Sequence, residues 1–391
     1  MLVVVAPGQG AQTPGFLQPW LEDAAFESRL AWLATVAGLD LVHYGTEADA
    51  DTIRDTQIAQ PLLVATGLAT AAVLLPEGLA PAGAVSGHSV GELTAAGASG
   101  ALSGEQAMVL VRERGKAMAE ASAVTPTGMT AVLGGDRDEV LATLDKHGLT
   151  PANDNGPGQI VAAGTLDQLE AFAAEPPAKA RLIPLSVAGA FHTEHMGGAV
   201  GHLRSLTDAV STGTPATAVI SNKDGEVVRD GQDVLTRIVG QIANPVRWDL
   251  CMERMLELGV TGMLELPPAG TLTGIARRAM KGVETFALKT PDQLDDARAF
   301  VESHGGVPAG AASADHVTVI APADGTFHLA PEAAGADDLG PGRPVGEVSS
   351  VEDKTSVVAP HGGQIVEWLV KDGDTVSAGQ PLLRLQPQGA S

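Results

Sequence analysis

The chain has 391 residues, of which 44% are hydrophobic, 18% charged and only 3% aromatic, with 47 glycines and a net charge of −23. That length leaves room for one large domain with a small one, and the balance suits a globular protein with a sizeable core. The charge argues against nucleic acid or an anionic membrane as a partner, and the lone Cys251 excludes an intramolecular disulfide framework.

Residues 2–5 form an apolar run that predicts a buried strand, followed by the glycine turn PGQGAQ. With no basic segment before it and no cleavage-type site after it, this is not a signal peptide, and a cytoplasmic location is expected. No apolar run is expected to reach the length of about 18 residues that a membrane span needs. Residues 55–75 read as an apolar helix. Gly83–Ser86 leads into GHSVGELTAAGASG, a strand, a tight turn and an alanine-rich helix, and residues 105–122 have helical periodicity with charges on one face.

Between 127 and 188 the rhythm changes to strand-like MTAVLGG, helical DRDEVLATLDKHG, strand-like GQIVAAG, helical TLDQLEAFAAE and strand-like ARLIPLSV, with room for another strand near LTPAND. This order predicts a small ferredoxin-like subdomain inserted in a larger one. Beyond it, ATAVISN reads as a strand, and DVLTRIVGQIANPVRWDLCMERMLELG as a helix broken at Pro245. GMLELPPAG follows as a strand and turn. Cys251 falls in an apolar helical pattern, which predicts a buried structural thiol, and no Cys/His spacing suggests zinc or another metal. A linker over 301–315 then precedes short strands without helical periodicity, so residues 316–391 are expected to form a separate all-β domain.

The chemistry centres on Gly87-His88-Ser89-Val90-Gly91, a GxSxG nucleophile-elbow pattern with a strand before it and a helix after it. A serine on such a turn is strained, and side chains at the flanking glycines would meet neighbouring backbone. The helix after Ser89 aims free N–H groups at the reaction centre, where they stabilise developing negative charge. In a chain with 47 glycines the pentapeptide alone is weak; the strand-turn-helix context and Glu92 after it carry the assignment.

GHSVGE, PGQGAQ, the arginine of RERGKAM, the GAFH element and QIANPVRW occur in the order seen in malonyl-CoA:acyl carrier protein transacylases, and over residues 1–300 the chain resembles that family. The resemblance implies an α/β-hydrolase-like large domain over 1–126 and 189–300, with the ferredoxin-like subdomain at 127–188. It implies Ser89 as nucleophile and His192 as its base, with His195 a rival lacking motif support. Gln241 would orient the histidine through its backbone carbonyl. The backbone N–H groups of Gln9 and Val90 would form the oxyanion hole, and Arg114 would grip the malonyl carboxylate, a two-oxygen contact that suits a planar guanidinium. Phe191 goes with malonyl rather than branched groups, while Gln60, Asn155 and Gln159 resemble pocket positions. LELPPAG at 264–270 departs from the family, which commonly has a glycine before the proline, and is expected to alter a loop only.

The implied activity is transfer of malonyl from malonyl-CoA to the phosphopantetheine thiol of an acyl carrier protein, in fatty-acid or polyketide synthesis, by a monomer without a tightly bound cofactor. Because carrier proteins are acidic, a docking surface on this acidic chain would need a local basic patch. Arg277, Arg278 and Lys281 are the densest candidate, although a solvated helix face explains them equally. A serine thioesterase or hydrolase would use the same Ser–His pair, and a non-catalytic assembly subunit is the third reading.

Residues 317–386 resemble biotinyl/lipoyl carrier domains, in which a hairpin-tip lysine carries the cofactor. Counting from both arms of the hairpin places that tip at Glu352, so biotin or lipoyl is not expected, and Lys354 would serve only after a register shift. An unmodified domain used in docking or assembly is the expectation.

Overall fold

The first strand, β1 (Leu2–Ala6), is apolar throughout because both of its faces are covered: Leu2 and Val4 join one core, Val3 and Val5 the other. A parallel sheet with helices on both sides produces this unbroken pattern. The computed structural model describes residues 1–305, 317–334, 336–340, 342–350, 354–359, 363–377 and 380–387. They belong to two units, Met1–Val307 and Pro308–Ser391.

In the first unit β1 is followed by α1 (Ala24–Ala37), α2 (Leu41–Thr46) and α3 (Thr56–Leu74). β2 (Ala84–Gly87) turns into α4 (Gly91–Ser99), and α5 (Gly104–Ser122) starts on a capping box between Ser103 and Gln106. Next come β3 (Thr127–Gly134), α6 (Arg137–Lys146), β4 (Thr150–Asp154), β5 (Gln159–Thr165), α7 (Leu166–Ala174) and β6 (Ala180–Pro184). The chain continues through α8 (Gly197–Thr207), β7 (Ala218–Ile220), β8 (Val227–Val228), α9 (Gly231–Gln241), β9 (Val246–Arg247) and α10 (Trp248–Glu257). It closes with β10 (Gly262–Glu265), α11 (Thr271–Ala279), β11 (Glu284–Ala287) and α12 (Leu294–His304).

The central sheet has the order β11-β10-β1-β2-β7-β8, parallel except for the antiparallel β7–β8 pair. The second sheet has the order β6-β3-β5-β4-β9, and its outermost strand comes from outside the inserted segment. β9 pairs in parallel with β4, Asn153 opposite Val246 and Asp154 opposite Arg247. The insertion therefore shares its sheet with the chain that follows α9.

Two expectations change. The linker does not begin at 301: α12 runs to His304, with Val301 buried in the core, and only Gly305 ends the helix. Residues 306–315 lie outside the described set. Length and apolar composition do make one segment, the 19-residue α3, long enough to cross a membrane, but most of it is buried inside the protein as a core helix.

The second unit contains β12 (Val317–Ile320), β13 (Gly325–Leu329), β14 (Asp338–Leu339), β15 (Pro344–Ser349), β16 (Lys354–Val358), β17 (Gly363–Trp368), β18 (Thr375–Val376) and β19 (Pro381–Pro387). They form two antiparallel sheets, β12-β19-β17-β14 and β16-β15-β13-β18. Phe327, Val345, Val348, Leu383 and Leu385 are among the residues of their shared core. Glu352, the expected hairpin tip, lies outside the described residues; Lys354 opens β16 and pairs its ammonium with Glu347 at 2.7 Å.

Candidate active site

Ser89 sits between β2 and α4 with φ of +54°, a left-handed conformation that costs a non-glycine residue energy. Both flanking glycines are required by space. A Cβ on Gly87 would lie 2.0 Å from the backbone carbon of Gly91, and one on Gly91 would lie 2.3 Å from the carbonyl oxygen of Ala6. The elbow is thus pressed against the end of β1. Gly8, in the turn after β1, leaves the same kind of gap, since a Cβ there would come within 2.9 Å of the carbonyl oxygen of His88.

His192 comes from the loop before α8 and also has positive φ, +61°. Its Nε2 is 2.7 Å from Ser89 Oγ, and its Nδ1 is 2.8 Å from the backbone carbonyl oxygen of Gln241 at the end of α9. A carbonyl can only accept, so Nδ1 carries the proton and Nε2 presents its lone pair to the Ser89 hydroxyl. Burial, and next the charge of Arg114, push the imidazole down to about 3, which keeps it neutral and available as a base. His195 lies in the short turn Glu194–Met196, its backbone N–H bonded to Thr193 Oγ1.

Arg114, on α5, is fully buried. Its guanidinium donates to Gln60 Oε1 at 2.6 Å, Gln241 Oε1 at 3.2 Å and Ser89 Oγ at 3.4 Å, all neutral groups. Among the described residues its Nε has no hydrogen-bond partner. Burial pushes its pKa down to about 10, opposed by Glu92, so it remains a cation at neutral pH. A desolvated positive charge beside a hydroxyl, with a spare donor, suits an anionic group brought in with a substrate.

Ser89 and His192 open onto a cavity of about 260 Å³, lined also by Gln9, Gln60, Asn155, Gln159 and Phe191. Met118, Met129, Val161 and Leu185 supply apolar wall, and Leu272 and Ile275 of α11 close another side. Arg114, Val90 and Gln241 are not in the wall; Arg114 meets Ser89 Oγ, and Gln241 meets the His192 ring, from outside it. The side chain of Gln9 donates to the carbonyl of Arg54 at 3.1 Å and to Thr56 Oγ1 at 3.4 Å. Among the described residues no backbone acceptor takes the amide N–H of Gln9 or of Val90. Gln159 receives a hydrogen bond from Arg278, on α11, at 3.0 Å. Arg277, Arg278 and Lys281 are exposed.

Three groups have roles that the sequence reading did not assign. His88 bonds Asn155 Oδ1 through Nε2 at 2.8 Å and packs edge-on against Trp248, so the elbow's own histidine holds a pocket residue. Asn222 and Glu92 are buried behind Ser89; burial pushes the Glu92 carboxyl up to about 8, against the Asn222 N–H and Arg114. Glu265, in the departure at LELPPAG, is also more than a loop residue. Its carboxylate accepts the backbone N–H groups of Gly270, Leu272 and Thr273 at 2.8–2.9 Å, fixing the start of the helix that forms a cavity wall. Cys251 is buried, with Sγ 3.3 Å from the carbonyl of Ser221.

The acyl transferase domain family matches this sequence over residues 3–302. A malonyl CoA-acyl carrier protein transacylase of Mycobacterium tuberculosis is 46% identical over 302 residues, which cover 76% of this chain and 99% of that protein. The crystal structure of MCAT from the same organism superimposes with a TM-score of 0.74 at 45% identity, with the same coverage of both chains. A malonyl-transacylase in complex with its type II PKS acyl-carrier protein gives a TM-score of 0.72 at 29% identity, covering 76% of this chain and 99% of its own.

Proposed function

The chain belongs to the acyl transferase domain family, and on that premise we propose that it moves malonyl from malonyl-CoA to the phosphopantetheine thiol of an acyl carrier protein through a malonyl-Ser89 intermediate. His192 Nε2 takes the Ser89 proton as Oγ attacks the thioester carbonyl carbon. The tetrahedral oxyanion is held by the N–H groups of Gln9 and Val90. Collapse breaks the carbon–sulfur bond, and the proton on Nε2 leaves with the coenzyme A thiol. The carrier's thiol then gives its proton to His192, attacks the ester and restores Ser89. Every step uses the chain's own residues, without a tightly bound cofactor.

The observation that carries the malonyl assignment is Arg114: a buried cation whose hydrogen-bond partners are all neutral, 3.4 Å from the nucleophilic oxygen. A malonyl carboxylate supplies the missing anion. Phe191 narrows the cavity against a branched acyl group, and Gln60, Asn155 and Gln159 line it. The exposed basic end of α11 suits the acidic carrier. The strand order β6-β3-β5-β4 with α6 and α7 supports a ferredoxin-like insertion in a hydrolase-like large domain. The paired sheets of the second unit support a biotinyl/lipoyl-like domain that is unmodified and used for docking or assembly.

Intact mass spectrometry of the protein after brief exposure to malonyl-CoA, beside Ser89→Ala, tests this. A malonyl increment that the variant lacks is expected. Malonate released without an adduct would identify a hydrolase, and neither adduct nor turnover would leave an assembly role.

A further inference from the structure

A serine held at positive φ relaxes unless something grips the turn on both sides, and the two glycines only make room for it. The grip comes from Asn222, which follows β7 and is fully buried. Its Oδ1 accepts the Ser89 N–H at 2.8 Å, and its Nδ2 donates to the carbonyl oxygen of Gly87 at 2.8 Å. One amide thereby spans the elbow, tying the residue before the bend to the nucleophile itself. The same Oδ1 accepts Gln241 Nε2 at 3.0 Å. Gln241 is the residue whose backbone carbonyl fixes the His192 tautomer, and its Nε2 also lies 3.3 Å from the carbonyl of Ser89.

Asn222 is held in turn. Its backbone N–H donates to Glu92 Oε1 at 2.6 Å, while Glu92 Oε2 accepts Gln241 Nε2 at 2.5 Å. The two oxygens of Glu92 thereby meet two separate donors, one from each partner. Glu92 stands in the first turn of α4, one residue after Gly91, so it reports the position of the helix that begins at the elbow. Neither Asn222 nor Glu92 lines the cavity, and the side-chain amide of Asn222 is taken up by Ser89, Gly87 and Gln241. We infer that Asn222, clamped by Glu92, is a positioning residue that locks the Ser89 elbow and the His192-orienting Gln241 into one frame. The inference rests on Ser89 and His192 being the reacting pair.

The strength of such a frame lies in the register it sets between two groups brought from distant parts of the chain. Ser89 and His192 must stay within hydrogen-bond reach as the proton moves, and a displacement of about 1 Å at the reacting atoms costs on the order of 100-fold in rate. A network that merely stabilised the core would lower the melting temperature without changing the rate of the folded enzyme.

The test is the rate of first-turnover acylation of Ser89 by malonyl-CoA, read by rapid quench and intact mass, for the wild-type chain, Asn222→Ala, Glu92→Gln and the double variant. Binding of malonyl-CoA is measured separately with each change placed on Ser89→Ala. Asn222→Ala is expected to slow acylation about 100-fold, with binding unchanged within about twofold. Because the two residues act as one clamp, the double variant is expected to be no slower than Asn222→Ala alone. A folded Asn222→Ala that acylates at the wild-type rate would overturn the inference, as would binding weakened as much as the rate, or losses that multiply. Should Asn222→Ala not fold, Asn222→Asp carries the same test: it keeps the acceptor for the Ser89 N–H and loses the donor to Gly87. Slower acylation with intact binding is expected, and a wild-type rate overturns the inference. A wild-type chain that forms no adduct would instead sink the reading of Ser89, which keeps the two failures apart.

Discussion

Replacing Arg114 by alanine should change which acyl group the site prefers, more than whether it reacts at all. The guanidinium is fully buried and bonded to Gln60, Gln241 and Ser89, so a malonyl carboxylate brought to it would be desolvated as well. Removing one partner of a buried, hydrogen-bonded charge pair costs about 2–5 kcal/mol. At 1.4 kcal/mol per factor of ten, that is a loss of roughly 30- to 4,000-fold in kcat/KM for malonyl-CoA. An acetyl thioester has no carboxylate and loses none of this. The assay is acylation of Ser89 by malonyl-CoA and by acetyl-CoA under the same conditions, with Arg114→Lys as an intermediate that keeps the charge without the planar fork. If both substrates fall by the same factor in a folded protein, Arg114 is a structural cation and the carboxylate argument is wrong.

Three further outcomes follow from the geometry. With His192 pushed down to about 3, the imidazole is still neutral at pH 5, so the acid limb of kcat/KM should lack a break near the ordinary value of 6.5. The same shift means that stability is full above pH 6.5 and is lost as pH falls toward 3, because the unfolded chain takes the proton first; Arg114→Ala should move the kinetic break upward, and a wild-type break near 6.5 would contradict the burial argument. Gly87→Ala places a Cβ 2.0 Å from backbone and should destabilise by about 3 kcal/mol or more, seen as a lower thermal midpoint. A chain ending at Val307 should form the malonyl adduct at the full-length rate, since the matching relative covers only 76% of this chain; a rate lowered more than about tenfold would give the second unit a part in the reaction.

The elbow was legible because its constraint is local: a strand, a bend too tight for side chains, and a helix leave glycines at fixed spacing around Ser89. β1 could be read for a similar reason, as a short run apolar on both faces. The partners of Ser89 in His192, Gln241 and Arg114 became legible only through ordered motifs resembling a family, since nothing in spacing alone brings residues 89, 114, 192 and 241 together. Asn222 was beyond reach. It stands two residues beyond a three-residue strand, and it meets Ser89 only because Ser86 and Ile220 pair across β2 and β7. β9, with two residues, is shorter than any periodic pattern can reveal. The last turn of α12, residues 301–304, was lost to the linker reading, although Val301 is core.

β9 limits how this architecture can be recombined. The chain leaves α9 just after Gln241, the residue that sets the His192 tautomer, and five residues on it becomes the edge of the inserted sheet, hydrogen-bonded to the strand that leads to Asn155. Exchange of residues 127–184 between relatives, whether by natural recombination or in a chimera, would carry off β4 and leave behind the strand it was built to meet. The cavity residues of the insertion, Asn155 and Gln159 among them, can therefore be transplanted intact only with the Gln241–Arg247 segment beside them, and the piece that evolution can shuffle is discontinuous in sequence.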